Sequence, residues 1–291
     1  MNNIEGSIVA KFGGTSVATK DAILTIVEIV RHNLNRRPVL VVSAIRGVTD
    51  ALLKRQIGFV REIHQKLTAD IFPSGEIRTE MMNYVDLKLR QIEAITQKEN
   101  LTSADMDELA SFGEIISSYI VSQALEIAGI PSEQVIASRL IVTDDNFMQA
   151  EFLPEETKTR IRNILIPIVE KGVVPVVTGF IGSTKDGRIT TLGRGGSDYS
   201  AAIIGYSLRA SEIQIWTDVD GVFTADPRIV KNARLLPVIS YEQAFLLAEA
   251  GAKVLHPKTM GPALKGNIPI RVLNTFNISN SGTLVTRIKE Q

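Results

Sequence analysis

The N-terminal 43 residues alternate between two hydrophobic periods, and this alternation limits the chain to few folds. Residues 7–12 are a short apolar run that ends in Gly13-Gly14, which predicts a strand followed by a tight turn. From Asp21 onward apolar residues recur at helical spacing, and Thr19 is available as the N-cap. Residues 39–42 are again continuously apolar. Strand, helix and buried strand in this order predict a parallel sheet covered by helices.

A long helical segment separates this unit from a second α/β stretch. Residues 50–128 contain apolar stripes of helical period and no comparable strand signal, so we predict a helical hairpin and then a helix from about Ala104 to Gly129. His32 and His64 are predicted to lie on exposed helix surfaces. Further strands are predicted over residues 135–142, 173–180, 188–192, 212–217 and 268–273, and further helices over 155–171, 197–208, 240–250 and 257–266.

Several residues at the ends of these elements carry specific expectations. Ser197 is predicted to cap a helix, and Ser240 with Gln243 fits a capping box. Pro175 predicts a strand end or a bulge, because proline cannot donate to a ladder. The strand over residues 268–273 is predicted to be the last one in the chain.

The composition excludes several kinds of chemistry. The 291 residues include 32 Lys plus Arg and 32 Asp plus Glu, so net charge favours neither nucleic acid nor an anionic membrane as a partner. The absence of Cys excludes thiol nucleophiles, zinc–thiolate sites and disulfides. No segment approaches the roughly 20 apolar residues of a membrane helix, and residues 1–10 lack the pattern of a signal peptide. We expect a cytoplasmic protein.

Two glycine-rich turns share one physical character. Residues 11–16 read K-F-G-G-T-S and residues 193–198 read G-R-G-G-S-D; each combines glycines with a cation and hydroxyls after a predicted strand. Glycine lets backbone N–H groups approach an anion, and a helix N-terminus adds partial positive charge. Either turn alone is more simply a tight turn with a solvated cation. Two together, each at the end of a predicted strand, favour two anionic ligands at a sheet edge.

Familiar nucleotide signatures do not fit these turns. Gly182 and Gly187 have Walker spacing but lack the following Lys-Ser or Lys-Thr, and residues 193–198 lack the third glycine of a dinucleotide fingerprint. A third dense stretch, residues 216–228, holds three carboxylates after a strand. These could bind a metal, a ribose or backbone amides in turns; for Asp226, which precedes a proline, the turn is favoured.

Six motifs in order along the chain resemble the aspartokinases of the amino-acid kinase superfamily. They are K-F-G-G-T-S-V at 11–17, S-A-x-x-x-x-T-D at 43–50, S-F-G-E at 111–114, G-R-G-G-S-D at 193–198, W-T-D-V-D-G-V-F-T-A-D-P-R at 216–228 and G-A-K-V-L-H-P at 251–257. The resemblance implies a three-layer α/β/α sandwich with a mainly parallel central sheet and two packed lobes, residues 1–190 for the amino acid and 191–291 for the nucleotide. It further implies phosphorylation of the β-carboxylate of L-aspartate by ATP with Mg²⁺, the first step toward lysine, threonine and methionine.

The resemblance also implies roles for individual residues. Lys11 resembles the catalytic lysine and Asp198 the residue that positions it. The phosphates would be bound by Gly13, Gly14, Thr15, Ser16 and Lys253; aspartate by Ser43, Thr49, Glu114, Arg194 and Ser197; and the nucleotide by Thr217, Asp218, Phe223 and Arg228. The ligands of the metal are left open. Arg194 suits the α-carboxylate and Glu114 the α-ammonium, a contact that would select a free amino acid.

Two features depart from the family pattern. Phe223 stands where many members have Tyr, so a hydrogen bond there is lost. The chain is expected to lack the paired ACT regulatory domains of many aspartokinases, and by family analogy it is expected to form a homodimer. Two alternatives stay open from the sequence: a kinase for another free amino acid, and a binding module of the same fold without turnover.

Overall fold

An eight-stranded sheet forms the centre of the computed structural model, which describes residues 6–225, 229–249, 255 and 257–288. The strand order is β3-β4-β2-β1-β7-β9-β10-β8. Every neighbouring pair is parallel except β9 with β10. The first four strands in space come from the N-terminal part of the chain and the other four from the C-terminal part, and β1 pairs with β7 where the two halves join.

The N-terminal strand–helix–strand unit is confirmed. β1 spans Ile8–Phe12, α1 Lys20–His32 and β2 Val39–Val42. The side chain of Thr19 caps α1 by accepting a hydrogen bond from the N–H of Ala22. Both strands are completely buried, which explains why their sequences are continuously apolar rather than alternating.

The long helical segment consists of four helices: α2 (Val48–Leu53), α3 (Ile57–Ile71), α4 (Glu76–Thr96) and α5 (Ser103–Ile127). α3 and α4 pack as the predicted hairpin. His32 is exposed as predicted, but the prediction for His64 was wrong. His64 is fully buried, its Nδ1 lies 2.7 Å from the Val60 carbonyl, and burial lowers its pKa to about 4. Helical period shows which face of a helix is apolar but not how much of its flank a neighbouring helix covers.

The strand predicted over residues 135–142 was misplaced. β3 spans Ser132–Val135, and the chain then forms a short 3-10 turn, Ala137–Arg139. α6 (Pro154–Glu170) and β4 (Val174–Thr178) follow as predicted. Pro175 lies second in β4, next to the strand's start, and pairs in register with Glu133 of β3.

Two short strands lie outside the central sheet. β5 (Ile181–Ser183) and β6 (Ile189–Thr191) form a separate antiparallel pair. The second glycine-rich turn was expected to follow a strand of the parallel sheet, but it follows β6 instead. α7 spans Gly196–Leu208 and β7 Glu212–Thr217. Ser197 is not the N-cap of α7: that position is Gly195, which has φ +73°, and no side chain caps the helix.

The C-terminal part supplies the far edge of the sheet with β8 (Val238–Ser240), α8 (Tyr241–Glu249), α9 (Pro257–Gly266), β9 (Ile270–Asn274) and β10 (Thr283–Thr286). The capping box is confirmed, since Gln243 N–H donates to Ser240 Oγ and Ser240 N–H donates to the Gln243 side chain. β9 is not the last strand; β10 follows it and pairs with β8.

Two hydrophobic cores lie on opposite faces of the sheet. Alternate residues of β1 belong to different cores: Val9 belongs to the core that includes buried residues of α6 to α9, whereas Ala10 and Phe12 belong to the core that includes buried residues of α1 to α5. This alternation follows from the pleat, in which successive side chains point to opposite faces. The fold is therefore a three-layer α/β/α sandwich, as predicted. Among the described residues, no helix has the length and apolarity to cross a membrane.

Candidate active site

An ion pair between Lys11 and Asp198 joins the two glycine-rich turns. Lys11 lies in β1, in the middle of the sheet, and Asp198 lies in the first turn of α7. Lys11 Nζ is 2.6 Å from Asp198 Oδ1, and the two side chains are only 11% and 19% exposed. A pair largely removed from water interacts more strongly than an exposed one. The structure therefore holds a lysine ammonium near the carboxyl end of a central strand.

Gly14 allows two loops to come into backbone contact. A Cβ at this position would lie 2.7 Å from the Ala44 carbonyl oxygen and 2.9 Å from the Arg46 nitrogen. Arg46 N–H also donates to the Gly14 carbonyl, at 3.1 Å. Because backbone atoms cannot rotate away as a side chain can, only glycine fits here. This close approach brings the turn after β1 against the turn after β2.

The first turn also presents free backbone donors next to the lysine. Gly13 N–H donates to the Trp216 carbonyl, but in the described part of the chain the N–H groups of Gly14 and Thr15 have no partner. A Cβ at Gly13 would lie 3.6 Å from Lys11 Nζ. Unpaired N–H groups beside an ammonium attract an anion.

Ser16 has its N–H and its hydroxyl engaged within the protein. Its N–H donates to the Gly13 carbonyl, and its buried hydroxyl lies 2.7 Å from the hydroxyl of Thr275. Thr275 N–H in turn donates to the carbonyl of Thr217 at the end of β7. Ser16 therefore ties the first turn to the end of β7 and β9, and Thr275 is a site residue that the motifs did not reveal.

Glu114 is a buried carboxyl group placed beside Lys11 by the packing of α5. Gly113 permits this packing, since a Cβ there would lie 2.7 Å from the Ala44 side chain. Glu114 is 3% exposed, and its Oε2 has no hydrogen-bond partner among the described residues. Burial raises the pKa of Glu114 to about 8, although the Ala44 N–H and the Lys11 charge both act to lower it. A cation placed beside such a carboxyl group stabilises its ionised form, which burial alone disfavours.

The start of α7 packs on the end of β4 through two glycines. A Cβ at Gly179 would lie 2.6 Å from Ser197 Oγ, and one at Gly196 would lie 2.6 Å from the ring of Phe180. Gly179 N–H donates to the Val42 carbonyl. Ser197, free of a capping role, thus lies where the ends of β2 and β4 meet α7. Gly179 belongs to no motif, so the sequence did not single it out.

Three further residues predicted to bind aspartate lie at different distances from Lys11 and differ in their exposure. Ser43 follows β2, its N–H donates to the Phe12 carbonyl, and its own carbonyl accepts from Ser117 Oγ at 2.6 Å. Thr49 is half-buried in α2. Arg194 lies on the second turn and is exposed. The structure thus brings Ser43 close to Lys11 and the Glu114 helix, and leaves Arg194 at the rim.

The predicted nucleotide residues are only partly described. Thr217 and Asp218 lie at the end of β7, next to the end of β1, and Phe223 forms an isolated bridge with Leu235. Arg228 and Lys253 lie outside the described residues, as do Asp226 and His256.

The carboxylate stretch after β7 includes Asp218 and Asp220 among the described residues. Asp220 accepts hydrogen bonds from the side-chain amides of Asn274 and Asn277, at 2.7 and 3.1 Å, so this carboxylate serves the local structure. Over the described residues, no three His, Asp or Glu side chains cluster as a metal site.

Asp107 is a buried residue near the site that sequence reasoning missed. It lies in α5 and accepts hydrogen bonds from the N–H groups of Met148 and Thr191 and from the Thr191 hydroxyl. Burial raises its pKa, and these hydrogen bonds lower it. An acidic residue in an amphipathic helix gives no signal of such a role.

The site thus consists of a lysine–aspartate pair between two glycine-rich turns on a mainly parallel sheet. The chain belongs to the amino acid kinase family, whose family model matches residues 6–274.

Within that family the chain is similar to aspartokinases. It is 35% identical to the lysine-sensitive aspartokinase 3 of Escherichia coli, over 96% of this chain and 64% of that protein. It is 33% identical to the chloroplastic aspartokinase 1 of Arabidopsis thaliana, over 97% of this chain and 52% of that protein. The chain thus spans about half to two thirds of the length of these relatives. The resemblance to an aspartokinase catalytic region is confirmed.

Solved structures agree with this assignment. A crystal structure of E. coli aspartokinase III in complex with aspartate and ADP has a TM-score of 0.89 at 34% identity, covering 98% of this chain and 65% of that one. The UMP kinase of Bacillus anthracis shares the fold alone, with a TM-score of 0.56 at 15% identity over 97% of this chain and 96% of that one.

Proposed function

We propose that this protein is an aspartate kinase, which transfers the γ-phosphoryl group of ATP to the β-carboxylate of L-aspartate and yields 4-phospho-L-aspartate. The observation that carries the proposal is the Lys11–Asp198 pair between two glycine-rich turns. The Glu114 carboxyl group is buried beside this pair, and its Oε2 has no hydrogen-bond partner among the described residues. The similar E. coli protein was crystallised with aspartate and ADP, which are the ligands this arrangement suits.

The reaction needs charge neutralisation more than proton transfer. A substrate carboxylate has a pKa of about 4, so it is ionised at neutral pH and requires no general base. The protein must instead bring two anions together and stabilise the charge on the transferred phosphoryl group. Lys11 would lie between the reacting groups, and Asp198 would hold its ammonium in place through the 2.6 Å contact.

The buried carboxyl of Glu114 would select a free amino acid. Its Oε2 has no hydrogen-bond partner among the described residues, and the α-ammonium of aspartate would supply a donor and a cation there. Arg194, exposed at the rim, would reach the α-carboxylate with its planar fork of donors. Ser43, Thr49 and Ser197 would complete the aspartate site.

The phosphates of ATP would be bound by the free N–H groups of Gly14 and Thr15, with Gly13 and Ser16 shaping the turn and Lys253 adding charge. Thr217, Asp218, Phe223 and Arg228 would contact the rest of the nucleotide. Mg²⁺ in kinases is held largely by substrate phosphates and one or two carboxylates, and it neutralises the transferred phosphoryl group when bound. Asp198, which lies beside Lys11, would be one such carboxylate.

We propose two lobes within the one sheet, residues 1–190 for aspartate and 191–291 for the nucleotide. The division is supported by the strand order, in which β1 to β4 occupy one half of the sheet and β7 to β10 the other. We also propose a cytoplasmic homodimer that serves the synthesis of lysine, threonine and methionine, by analogy with the aspartokinases it resembles.

A hydroxamate assay for acyl phosphate tests the proposal. The protein is incubated with ATP, Mg²⁺ and, in turn, aspartate, glutamate and N-acetylglutamate. Product with aspartate and none with N-acetylglutamate is expected, because the acyl group removes the cation that Glu114 would bind. Product with a different free amino acid instead of aspartate would overturn the substrate, and ATP binding without any product would indicate a binding module.

Lys11→Met tests the residue that would lie between the anions. Methionine keeps most of the side-chain volume and loses the charge, so kcat should fall about 100-fold or more, as for other lost transition-state donors. Lys66→Ala, at an exposed position of α3, is the matched control and should leave kcat unchanged. An active Lys11→Met variant would remove Lys11 from the mechanism.

A further inference from the structure

Asp107 joins three elements beneath the second glycine-rich turn. Its Oδ2 accepts hydrogen bonds from Met148 N–H at 2.9 Å and Thr191 N–H at 3.0 Å, and its Oδ1 accepts from Thr191 Oγ at 2.6 Å. The side chain is fully buried. A buried carboxylate with three good donors is costly to disturb, because removing it leaves buried N–H groups without partners.

These bonds fix the segment that carries Arg194. Thr191 is the last residue of β6, three positions before Arg194. Met148 has φ +72°, a conformation that non-glycine residues rarely adopt, and its carbonyl lies 3.4 Å from where a Cβ of Gly193 would stand. Ala150 N–H donates to the Thr191 carbonyl, at 2.9 Å. The loop around Met148 thus packs against the second glycine-rich turn, and Asp107 is hydrogen-bonded to the loop and to the strand that leads into the turn.

The helix that contains Asp107, α5, also contains Glu114, the residue predicted to bind the α-ammonium of the substrate. Glu114 follows Asp107 by seven residues in α5, which is close to two helical turns, so the two carboxylates share one face about 10 Å apart along the axis. α5 is 25 residues long and connects them rigidly. The helix therefore sets the distance between Glu114 and the turn that contains Arg194.

We propose that Asp107 is a positioning residue, which holds the Arg194 turn at a set distance from Glu114 and so determines the affinity for the α-amino acid substrate. This inference rests on the proposed function, in which Arg194 binds the α-carboxylate and Glu114 the α-ammonium. Asp107 itself touches neither substrate.

Kinetics of Asp107→Ala distinguish positioning from general stability. The α-carboxylate does not react, so its contact with Arg194 is the same in the ground and transition states, and its loss raises KM rather than lowering kcat. We expect KM for aspartate to rise about tenfold or more, which is the effect of losing one good hydrogen bond. KM for ATP and kcat should each stay within about threefold.

Two variants serve as controls for folding. Asp105→Ala removes a carboxylate from the same helix two residues away, where it caps the helix by accepting from Thr102 N–H and Oγ. It should lower stability without changing KM for aspartate. Asp107→Asn should restore most of the affinity, because the amide can accept from both N–H groups and donate to the Thr191 hydroxyl. If Asp107→Ala does not fold, Thr191→Val removes one bond and should give a smaller rise in the same KM.

A double-mutant cycle with Arg194→Ala tests the route of the effect. In the Arg194→Ala background, Asp107→Ala should lower kcat/KM for aspartate by less than about threefold. An equal loss in both backgrounds, or the same rise in KM from Asp105→Ala, would overturn the proposal.

Hydrogen exchange separates this inference from the proposed function. If the wild-type protein phosphorylates aspartate, the kinetics above decide the role of Asp107. If it does not, the proposed function fails. Amide exchange over residues 191–196 then still tests whether Asp107 holds the second glycine-rich turn in place. Faster exchange in Asp107→Ala than in Asp105→Ala supports a held turn, and equal exchange in the two variants overturns it.

Discussion

The buried carboxyl of Glu114 makes the stability of the protein depend on pH in a direction that is easy to test. Its ordinary pKa is 4.5, and burial raises the value in the folded protein to about 8. Between these two values the folded state binds more protons than the unfolded state, so the free energy of unfolding falls as pH rises. The stability associated with neutral Glu114 is present below pH 4.5 and is lost as pH rises to about 8.

The size of the effect follows from the shift in pKa. Each pKa unit corresponds to about 1.4 kcal/mol, so a rise from 4.5 to about 8 sets an upper limit of about 5 kcal/mol. Glu114→Gln keeps the shape of the side chain and cannot ionise. At pH 5 the variant should therefore have nearly the stability of the wild type, and at pH 9 it should be more stable by about 2–5 kcal/mol.

Urea unfolding of both proteins at pH 5, 7 and 9 measures this difference. The midpoint and slope are followed by circular dichroism and by the fluorescence of Trp216, so that departure from two-state behaviour is visible. Glu133→Gln, at an exposed position of β3, is the control and should give no difference that varies with pH. If the Glu114→Gln variant gains nothing relative to the wild type between pH 5 and 9, the carboxyl is solvated and the reasoning fails.

Three further outcomes are expected. Aspartate binding at pH 7 should release nearly one proton from Glu114, measurable by calorimetry in buffers of different ionisation enthalpy; no release would show that the carboxyl is already ionised. Gly14→Ala should lower stability by about 1–3 kcal/mol and abolish activity, while Gly58→Ala, in open space on α3, should raise the melting temperature. His64, with its pKa lowered to about 4 by burial, should make the wild type lose stability as pH falls from 6.5 to 4; an equally steep loss in His64→Leu would contradict this.

Much of the fold was predictable from local patterns. Buried parallel strands are continuously apolar, so β1, β2 and β7 lie within about one residue of their predicted limits. Caps mark helix ends, and α1 begins directly after its predicted N-cap, Thr19. Short strands were harder to predict. β8 and β10 have three and four residues, and β3 is mostly polar because it lies at the sheet edge, so hydrophobic period does not reveal them.

The candidate site divides in the same way. The family resemblance of the glycine-rich motifs pointed to Lys11 and Asp198, because each motif is a run of particular residue types at close spacing along the chain. The contacts of Asp107 and Thr275 could not be predicted, since each joins residues far apart in sequence: Asp107 with Thr191, and Thr275 with Ser16.

The sequence by itself determined the layered α/β architecture and the positions of the two glycine-rich turns with their cations and hydroxyls, since each depends on local period or spacing. Only the tertiary structure decided that Lys11 meets Asp198, that the Glu114 carboxyl group is buried and that Asp107 accepts a hydrogen bond from Thr191 N–H. The physical reason is that charge pairing and desolvation depend on which distant elements pack together. Packing depends on the shapes of complete helix and sheet surfaces, and these surfaces are built from residues that are far apart in the sequence.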